Sequence, residues 1–276
     1  MDHLQYYHLT QEPFSVMPLT QFYFHSEQHD RAMERLLHAA KGMKGLAVLI
    51  GDVGLGKTLL ARRLLETLPD SEYEVSLLVV LHQDVDSIWL LKRIAAQVGV
   101  AAIPDQKVDI LTALFNRLTE IAEQGKKTIV LIDEAHMLHN KTLMEEIRGL
   151  LNLETDTQKL ISFVLFGLPE LEQCLAIDPP LAQRVAVRFN LKPLPKDVVE
   201  RYVEYRLQQA GAVDDIFSQE AVEKIHEVSK GIPRLINVIC DNSLFEGFVR
   251  GAKLPLKSEI IASVAEDLGL VIGCRM

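Results

Sequence analysis

The sequence is poor in the features that mark secreted, membrane-spanning and nucleic-acid-coating proteins. Its three cysteines are far apart and odd in number, which argues against a disulfide framework or zinc site and suits reduced thiols in a cytosol. No apolar run approaches the ~18 residues of a membrane span, and the polar N-terminus lacks the pattern of an export signal. With 29 basic against 38 acidic residues, the charge gives no footprint for autonomous nucleic-acid binding. We therefore expect a soluble cytoplasmic protein.

Apolar side chains are abundant. They make up 48% of 276 residues, enough for the core of one large α/β domain and a smaller second one. Apolar runs separated by amphipathic helical patterns predict a parallel sheet covered by helices on both faces, with strands at 46–50, 75–81, 128–132, 160–166 and 185–191. Beyond the proline-rich stretch 191–195 only helical patterns follow. We place an α/β domain with an N-terminal arm at residues 1–192 and a small helical domain at 193–276.

The segment 51–58 fits the phosphate-binding pattern G-x-x-x-x-G-K-[ST] at every fixed position, between an apolar strand and a leucine-rich helical pattern. In such a loop, glycines let backbone N–H groups converge on phosphates, and the helix N-terminus adds positive potential. Lys57 is expected to reach the β- and γ-phosphates, and Thr58 to ligate Mg²⁺. The alternative, a flexible glycine loop, is disfavoured by the flanking strand and helix. The predicted nucleotide-binding residues here are Gly51, Asp52, Val53, Gly54, Leu55, Gly56, Lys57, Thr58 and Leu59.

A second pattern supplies carboxylates. The apolar run 128–132 ends in Asp133 and Glu134. An aspartate at the tip of a buried strand can hold the Mg²⁺ shell, and the next residue, pointing the other way, can polarise the attacking water. Alternatively, both carboxylates cap the following turn. His136 completes a helicase-like Asp-Glu-Ala-His tetrad, but we interpret it as a bystander because the chain has no second helicase lobe. One predicted strand, 75–81, lies in the chain between the phosphate loop and the carboxylates, and the sequence has no guanine-reading N-K-x-D element. Both features favour ATP over GTP.

Arginines are the candidates for stabilising the transition state. Phosphoryl transfer needs positive charge on the γ-phosphate, often from an arginine of a neighbouring subunit. Arg184 precedes the last predicted strand and Arg188 lies within it. Arg184 is favoured because it can project from the domain edge, the alternative for both being a solvated surface arginine. Arg234, at the start of a C-terminal helix, can fold over the nucleotide and report its state, or serve structure alone.

With these motifs the chain resembles the AAA+ ATPases of the general secretion pathway protein A type, which include those of MSHA pilus biogenesis. Besides the phosphate loop, the resemblance is carried by 9–15, 22–26, 150–156, 167–171, 181–184 and 231–234. The family usually has a glutamine where Leu168 stands, so polar sensing of the γ-phosphate there is in question, and Asn152 is a weaker substitute. Longer members add a membrane span and a periplasmic part. This sequence has neither, so we expect either a cytoplasmic fragment or a short member.

The resemblance implies a P-loop NTPase (AAA+) fold, with a parallel-sheet domain covered by helices and a small all-helical lid domain. It implies that Arg184 is the arginine finger and Arg234 the sensor-2 arginine. It also implies that the arm contributes to the adenine pocket through Leu9, Pro13 and Phe14, although Phe14 alternatively anchors a core. ATP and Mg²⁺ are the implied cofactors. The implied assembly is a homo-oligomeric ring, commonly a hexamer.

Three functions remain open at this stage. The leading hypothesis is a cytoplasmic ATPase, peripheral at the inner membrane, that drives assembly of a secretion or type IV pilus apparatus with an inner-membrane assembly protein as its partner. The second is a DNA-associated AAA+ ATPase of the transposition-regulator type, which the acidic net charge of −9 mildly disfavours. The third is a nucleotide-gated interaction module with little turnover, consistent with Leu168.

Overall fold

Five parallel strands form the centre of the first of two units in the computed structural model, which describes residues 2–270. We call residues 27–53 and 57–191 the sheet unit. Its strands are β1 (Leu46–Ile50), β2 (Tyr73–Val79), β3 (Lys127–Asp133), β4 (Ile161–Gly167) and β5 (Val185–Asn190). They are arranged in the order β2-β3-β4-β1-β5, and every neighbouring pair is parallel. The predicted parallel sheet is confirmed.

Helices complete the sheet unit and explain the composition of its strands. They are α2 (Glu27–Lys41), α3 (Lys57–Thr67), α4 (Ser87–Gln97), α5 (Lys107–Glu123), α6 (Lys141–Leu150), α7 (Leu171–Ala176) and α8 (Pro179–Ala182). Strands β1 and β4 are buried at every position, as expected for parallel strands covered on both faces. Strand β5 alternates between half-buried and exposed residues because it lies at the edge of the sheet.

The sheet order decides which loops meet. Strand β2 separates β1 from β3 in the chain, but in space it lies at one edge, and β4 is the strand between β1 and β3. Register pairs Ile50 at the end of β1 with Gly167 at the end of β4. Because parallel strands end on the same side, the loops after β1, β3 and β4 gather along the edge that the C-terminal ends of the strands form, where ligands bind in open α/β folds. The candidate site lies at this edge.

The second unit, the helical unit, comprises residues 2–26, 54–56 and 192–270. Its helices are α1 (His3–Tyr6), α9 (Lys196–Gln209), α10 (Gln219–Ser229), α11 (Pro233–Val249) and α12 (Ser258–Asp267). The Ser218 side chain caps α10 by accepting a hydrogen bond from the Ala221 N–H, and Pro233 occupies the first turn of α11, where no backbone donor is needed. In the described part of 192–270 the helical patterns predicted from the sequence form α9 to α12, and the domain bounds at 193–276 stay a prediction.

The N-terminal arm belongs to the helical unit, whereas the predicted division placed it with residues 1–192. The Phe14 ring is 1% exposed and meets the Phe217 ring edge to face at 6.3 Å. The Arg206 guanidinium donates to the backbone carbonyls of Pro13 and Ser15, at 2.5 and 3.1 Å. The arm therefore groups with the C-terminal helices because its apolar residues complete their core.

Two cysteine thiols are free and buried, Cys174 in α7 and Cys240 in α11. Burial raises the pKa of both, most strongly for Cys240, which fits the expected role of core packing. Cys274 and the rest of 271–276 lie outside the described residues. Between residues 2 and 270, no helix has the length and apolarity needed to cross a membrane.

Candidate functional site

The phosphate-loop sequence forms the predicted strand, turn and helix. Strand β1 ends at Ile50, and α3 begins at Lys57. Gly54 and Gly56 have φ values of +83° and +95°, in the left-handed region that favours glycine. A side chain at Gly54 would also clash, because its Cβ would lie 2.8 Å from the Cβ of Arg234. The glycines are therefore required by the path of the turn that leads into α3.

The Lys57 side chain folds back over this turn. It is 6% exposed, and its ammonium donates to the carbonyls of Gly51 at 2.7 Å and Asp52 at 2.9 Å. Burial lowers the pKa of Lys57, while the carboxylates of Glu134 and Asp133 act in the opposite direction. The loop thus holds a desolvated cation that an anionic ligand would stabilise.

Oxygen atoms from both motifs meet beside the start of α3. The Thr58 hydroxyl donates to Asp133 Oδ2 at 2.7 Å, and the other carboxylate oxygen accepts from the Glu134 N–H at 3.0 Å. Asp133 is 2% exposed at the end of β3. A hydroxyl and a carboxylate are the hard donors that Mg²⁺ takes from proteins, usually with only one or two carboxylates. Accordingly, the described residues fit Mg²⁺ and contain no cluster of three or more histidine, cysteine or acidic ligands.

Glu134 makes the turn that follows. Its backbone is left-handed, with φ 55° and ψ 35°, and a 3₁₀ turn follows at Ala135–Met137. Its carboxylate is 39% exposed, and Oε2 lies 3.4 Å from Nδ1 of His136. The backbone N–H of Leu168 points at the same nitrogen, at 3.5 Å. His136, interpreted from the sequence as a bystander, therefore touches Glu134. The sequence signal was the short spacing of the two residues after a strand.

Leu168 follows directly after β4, on the same edge as the phosphate loop. The Gly51 N–H donates to the carbonyl of Gly167 at 3.2 Å, which ties the loop to the end of β4. Asn152 does not reach this edge. It follows α6 and precedes β4, and it is exposed near the opposite ends of the strands. The suggested substitution of Asn152 for a polar side chain at Leu168 does not fit this geometry.

Arg184 lies at the opposite end of the sheet from the phosphate loop of its own chain. The next residue, Val185, pairs in register with Leu46, the first residue of β1. The length of β1 therefore separates Arg184 from the loop by about 17 Å at ~3.3 Å per residue. Its guanidinium is exposed and donates to the Arg148 carbonyl at 3.3 Å. Arg188, further along β5, pairs with Glu172 at 2.5 Å.

Two groups of predicted site residues lie in the helical unit. The Arg234 N–H donates to the carbonyl of Gly54 at 3.2 Å, within this unit, so α11 begins next to the tip of the phosphate loop. Leu9 and Phe14 are buried in the helical core, and the carbonyl of Pro13 accepts from Arg206. The Phe14 side chain has the position of the core anchor considered as its alternative.

The sheet order, the glycine loop after β1, the carboxylate at the end of β3 and the C-terminal helices define a P-loop NTPase of the AAA+ class. Residues 40–175 match the family described as AAA domain. The ORC2 protein of Aeropyrum pernix, solved as ADPNP-ADP complexes, aligns with a TM-score of 0.65 at 18% identity, over 87% of this chain and 66% of that one. A RuvB variant of Thermotoga maritima aligns at 0.59 and 18% identity, over 94% and 74%. At these identities the structural likeness shows the fold alone.

Sequence similarity is more specific. The chain is 37% identical over 270 residues to general secretion pathway protein A of Aeromonas hydrophila. The alignment covers 96% of this chain and 48% of that relative. The resemblance predicted from the sequence motifs, to AAA+ ATPases of this type, is therefore confirmed. The chain spans about half the length of this curated relative.

Proposed function

We propose that the chain binds ATP with Mg²⁺ and hydrolyses it in order to drive assembly of a secretion or type IV pilus apparatus. The observation that carries the chemical part is the 2.7 Å contact between Thr58 Oγ1 and Asp133 Oδ2, beside the Lys57 ammonium and next to Glu134. Strand tip, loop and helix start thereby supply oxygen ligands, a cation and a carboxylate at one edge of the sheet.

Binding would exchange internal partners for the ligand. The Lys57 ammonium now donates to two carbonyls of its own loop, and β- and γ-phosphate oxygens would replace them with charge-assisted hydrogen bonds. Backbone N–H groups at the start of α3 would add to the cradle. Thr58 and Asp133 would hold Mg²⁺, which neutralises charge on the phosphates when bound.

Glu134 is proposed as the general base. It immediately follows the metal-holding aspartate, and its carboxylate is 39% exposed, so water has access to it. A carboxylate in this position can accept a proton from the water that attacks the γ-phosphate. Phosphate release by the wild type should be lost in Glu134→Gln, while Lys57→Ala should lose nucleotide binding itself. Retained ATP affinity in Lys57→Ala would refute the assignment of the loop.

A low-turnover switch is the second candidate, and it is favoured by a specific observation: Leu168 brings no polar side chain to the end of β4. If the wild type and Glu134→Gln release phosphate at the same background rate, while ATP still binds and changes the oligomeric state, the switch reading replaces hydrolysis.

Arg184 is proposed to act on the nucleotide of a neighbouring copy, because it lies about 17 Å from the loop of its own chain at ~3.3 Å per strand residue. This requires a homo-oligomer, with a ring as the closed arrangement of such head-to-tail contacts. Arg234, whose backbone touches the loop tip at Gly54, is proposed as the arginine that reports nucleotide state from within the chain. Leu9 and Pro13 remain proposed adenine contacts of the arm, whereas the buried Phe14 ring, which packs on Phe217, is proposed to anchor the arm in the helical core.

Mixing two inactive variants tests the shared site. Arg184→Ala and Glu134→Gln should each be inactive alone, but a mixture should regain activity at interfaces that combine an intact glutamate with an intact arginine. Arg188→Ala is the matched control and should keep most of the activity, because Arg188 already pairs with Glu172. A mixture no more active than the separate variants would show that Arg184 does not act between copies.

The cellular role is proposed from the similarity to general secretion pathway protein A, whose name places that protein in secretion. From this similarity we propose that the chain acts from the cytoplasmic side on an inner-membrane assembly protein. Copurification with such a membrane protein tests the role. DNA is the competing partner, and stimulation of phosphate release by duplex DNA at low salt would favour it.

A further inference from the structure

His136 stands between two partners that differ in their link to the phosphate loop. Its Nδ1 is 3.4 Å from Glu134 Oε2 and 3.5 Å from the backbone nitrogen of Leu168. Both distances are at the long end of hydrogen-bonding range, as for an atom placed midway between two groups. A ring nitrogen can donate or accept, but not both at once. Donation to the carboxylate and acceptance from the N–H therefore exclude each other.

The His136 side chain is buried, and its backbone is packed on two sides. It is 9% exposed, and the carbonyl of His136 accepts from the Cys174 thiol of α7 at 3.5 Å. On the other side, a Cβ on Gly167 would lie 3.3 Å from the backbone nitrogen of His136, so the end of β4 packs directly against this turn. The ring is thus buried on a backbone that is packed on both sides, and the groups around Nδ1 decide which hydrogen bond forms.

The competing donor belongs to the strand end that holds the phosphate loop. Gly51, the first loop residue, donates to the carbonyl of Gly167, and the next backbone N–H, that of Leu168, points at His136. A ligand that displaces the loop at Gly51 would move the peptide between Gly167 and Leu168. The contacts thus run without interruption from the loop to the proposed general base.

We propose that His136 is a positioning residue for Glu134, and that the Leu168 N–H competes for its Nδ1 according to the state of the phosphate loop. With ATP bound, Nδ1–H donates to the carboxylate and orients it for proton transfer. In the empty loop, Nδ1 accepts from Leu168 and the carboxylate is not held. The inference rests on the proposed hydrolysis. It gives the backbone of Leu168 a sensing role that its side chain cannot fill.

Side-chain replacement separates positioning from packing. Asparagine places an amide near the position of Nδ1, whereas glutamine places it near Nε2. We expect His136→Ala and His136→Gln to lower kcat about ten-fold or more, which is less than the roughly 10²–10⁴-fold contributed by a group that itself transfers the proton. His136→Asn should retain about a third or more of wild-type kcat, and the ATP dissociation constant of every variant should stay within about two-fold of wild type. His139→Ala is the matched control, because His139 is exposed and its ring nitrogen meets the carbonyl of Met137 rather than Glu134.

The overturning results are equally defined. Wild-type kcat in His136→Ala, or equal losses in the Asn and Ala variants, would show that the ring nitrogen does not position Glu134. A loss of ATP affinity parallel to kcat would show a structural role instead. A measurement that does not need turnover is the side-chain ¹⁵N spectrum of His136 in the whole chain. The ring should change from the Nε2–H tautomer to the Nδ1–H tautomer when ATP is added, and this change should vanish in Glu134→Ala. An Nδ1 signal indifferent to ATP would overturn the proposal.

The two hypotheses fail separately. If the wild type releases phosphate no faster than Glu134→Gln, but the His136 signal responds to ATP, hydrolysis is refuted and the coupling stands. If the wild type hydrolyses ATP, but His136→Ala keeps wild-type kcat and the Nδ1 signal does not respond to ATP, hydrolysis stands and the coupling is refuted.

Discussion

Replacing Thr58 with valine keeps the shape of the side chain and removes one hydrogen bond at the centre of the site. The Thr58 hydroxyl donates to Asp133 at 2.7 Å, and that aspartate is 2% exposed at the tip of β3. A hydrogen bond to a charged group contributes ~1.5–3 kcal/mol, and an acceptor left unpaired and buried retains its desolvation cost. We expect Thr58→Val to lower the free energy of unfolding by about 2 kcal/mol in the absence of nucleotide.

The assay is thermal and urea unfolding of nucleotide-free protein, since a ligand bound only by the folded state would mask the change. For a unit of this size, about 2 kcal/mol corresponds to a Tm lowered by about 4–8 °C. Thr58→Ser should recover most of the loss. Thr67→Val is the matched control at the end of the same helix. Its hydroxyl is exposed and bonds the Arg63 carbonyl, so the change should stay within about 0.5 kcal/mol.

The result that would refute the reasoning is equal behaviour of the two valine variants. If Thr58→Val unfolds like wild type, the aspartate is satisfied without the hydroxyl, and the short contact adds nothing to the stability of the empty site. If Thr67→Val loses as much, the effect belongs to the helix rather than to the aspartate.

Two further changes have defined outcomes. Burial lowers the pKa of Lys57, so the folded protein binds that proton less tightly than the unfolded chain. Stability relative to Lys57→Met should therefore rise as the pH approaches the ordinary value of 10.5, in urea titrations from neutral to alkaline pH, and a flat difference would contradict the burial effect. Gly231→Ala should lower the free energy of unfolding by more than about 3 kcal/mol, because its Cβ would lie 2.0 Å from the backbone carbonyl oxygen of Leu194. Gly125→Ala, also at positive φ but in open space, should lower it by about 1 kcal/mol. Equal losses of stability in urea denaturation would refute the steric argument.

The parts of the fold that follow from local pattern were predictable from the sequence. A glycine loop between an apolar strand and a helix is a local signal, and β1 and α3 appear where it places them. The run 128–132 likewise lies within β3, which ends at Asp133 as expected. For the other strands, at least one end differs by one or two residues from the prediction, because pairing with neighbours rather than hydrophobicity decides where a strand stops.

The parts that depend on distant contacts were not predictable. Nothing in the aromatic arm indicates that Phe14 meets Phe217, more than two hundred residues further along the chain. The contact of Glu134 with His136 depends on the left-handed backbone of Glu134, which hydrophobic periodicity does not predict. It also depends on the end of β4, which lies beside this turn. The edge position of β5 had only a weak signal, Arg188 and Asn190 among apolar residues, because the order of the strands depends on pairing between distant parts of the chain.

Parallel register has a consequence for inheritance as well as for chemistry. Because Arg184 and the phosphate loop lie at opposite ends of the same sheet, each copy in an assembly would complete one interface with its glutamate and another with its arginine. A chain that lacks only one of them would disable a single interface, and wild-type neighbours would compensate at the other. A chain that lacks both would disable two. In cells that also express the wild-type chain, the double variant should therefore have a markedly stronger dominant-negative effect on the assembly than either single variant.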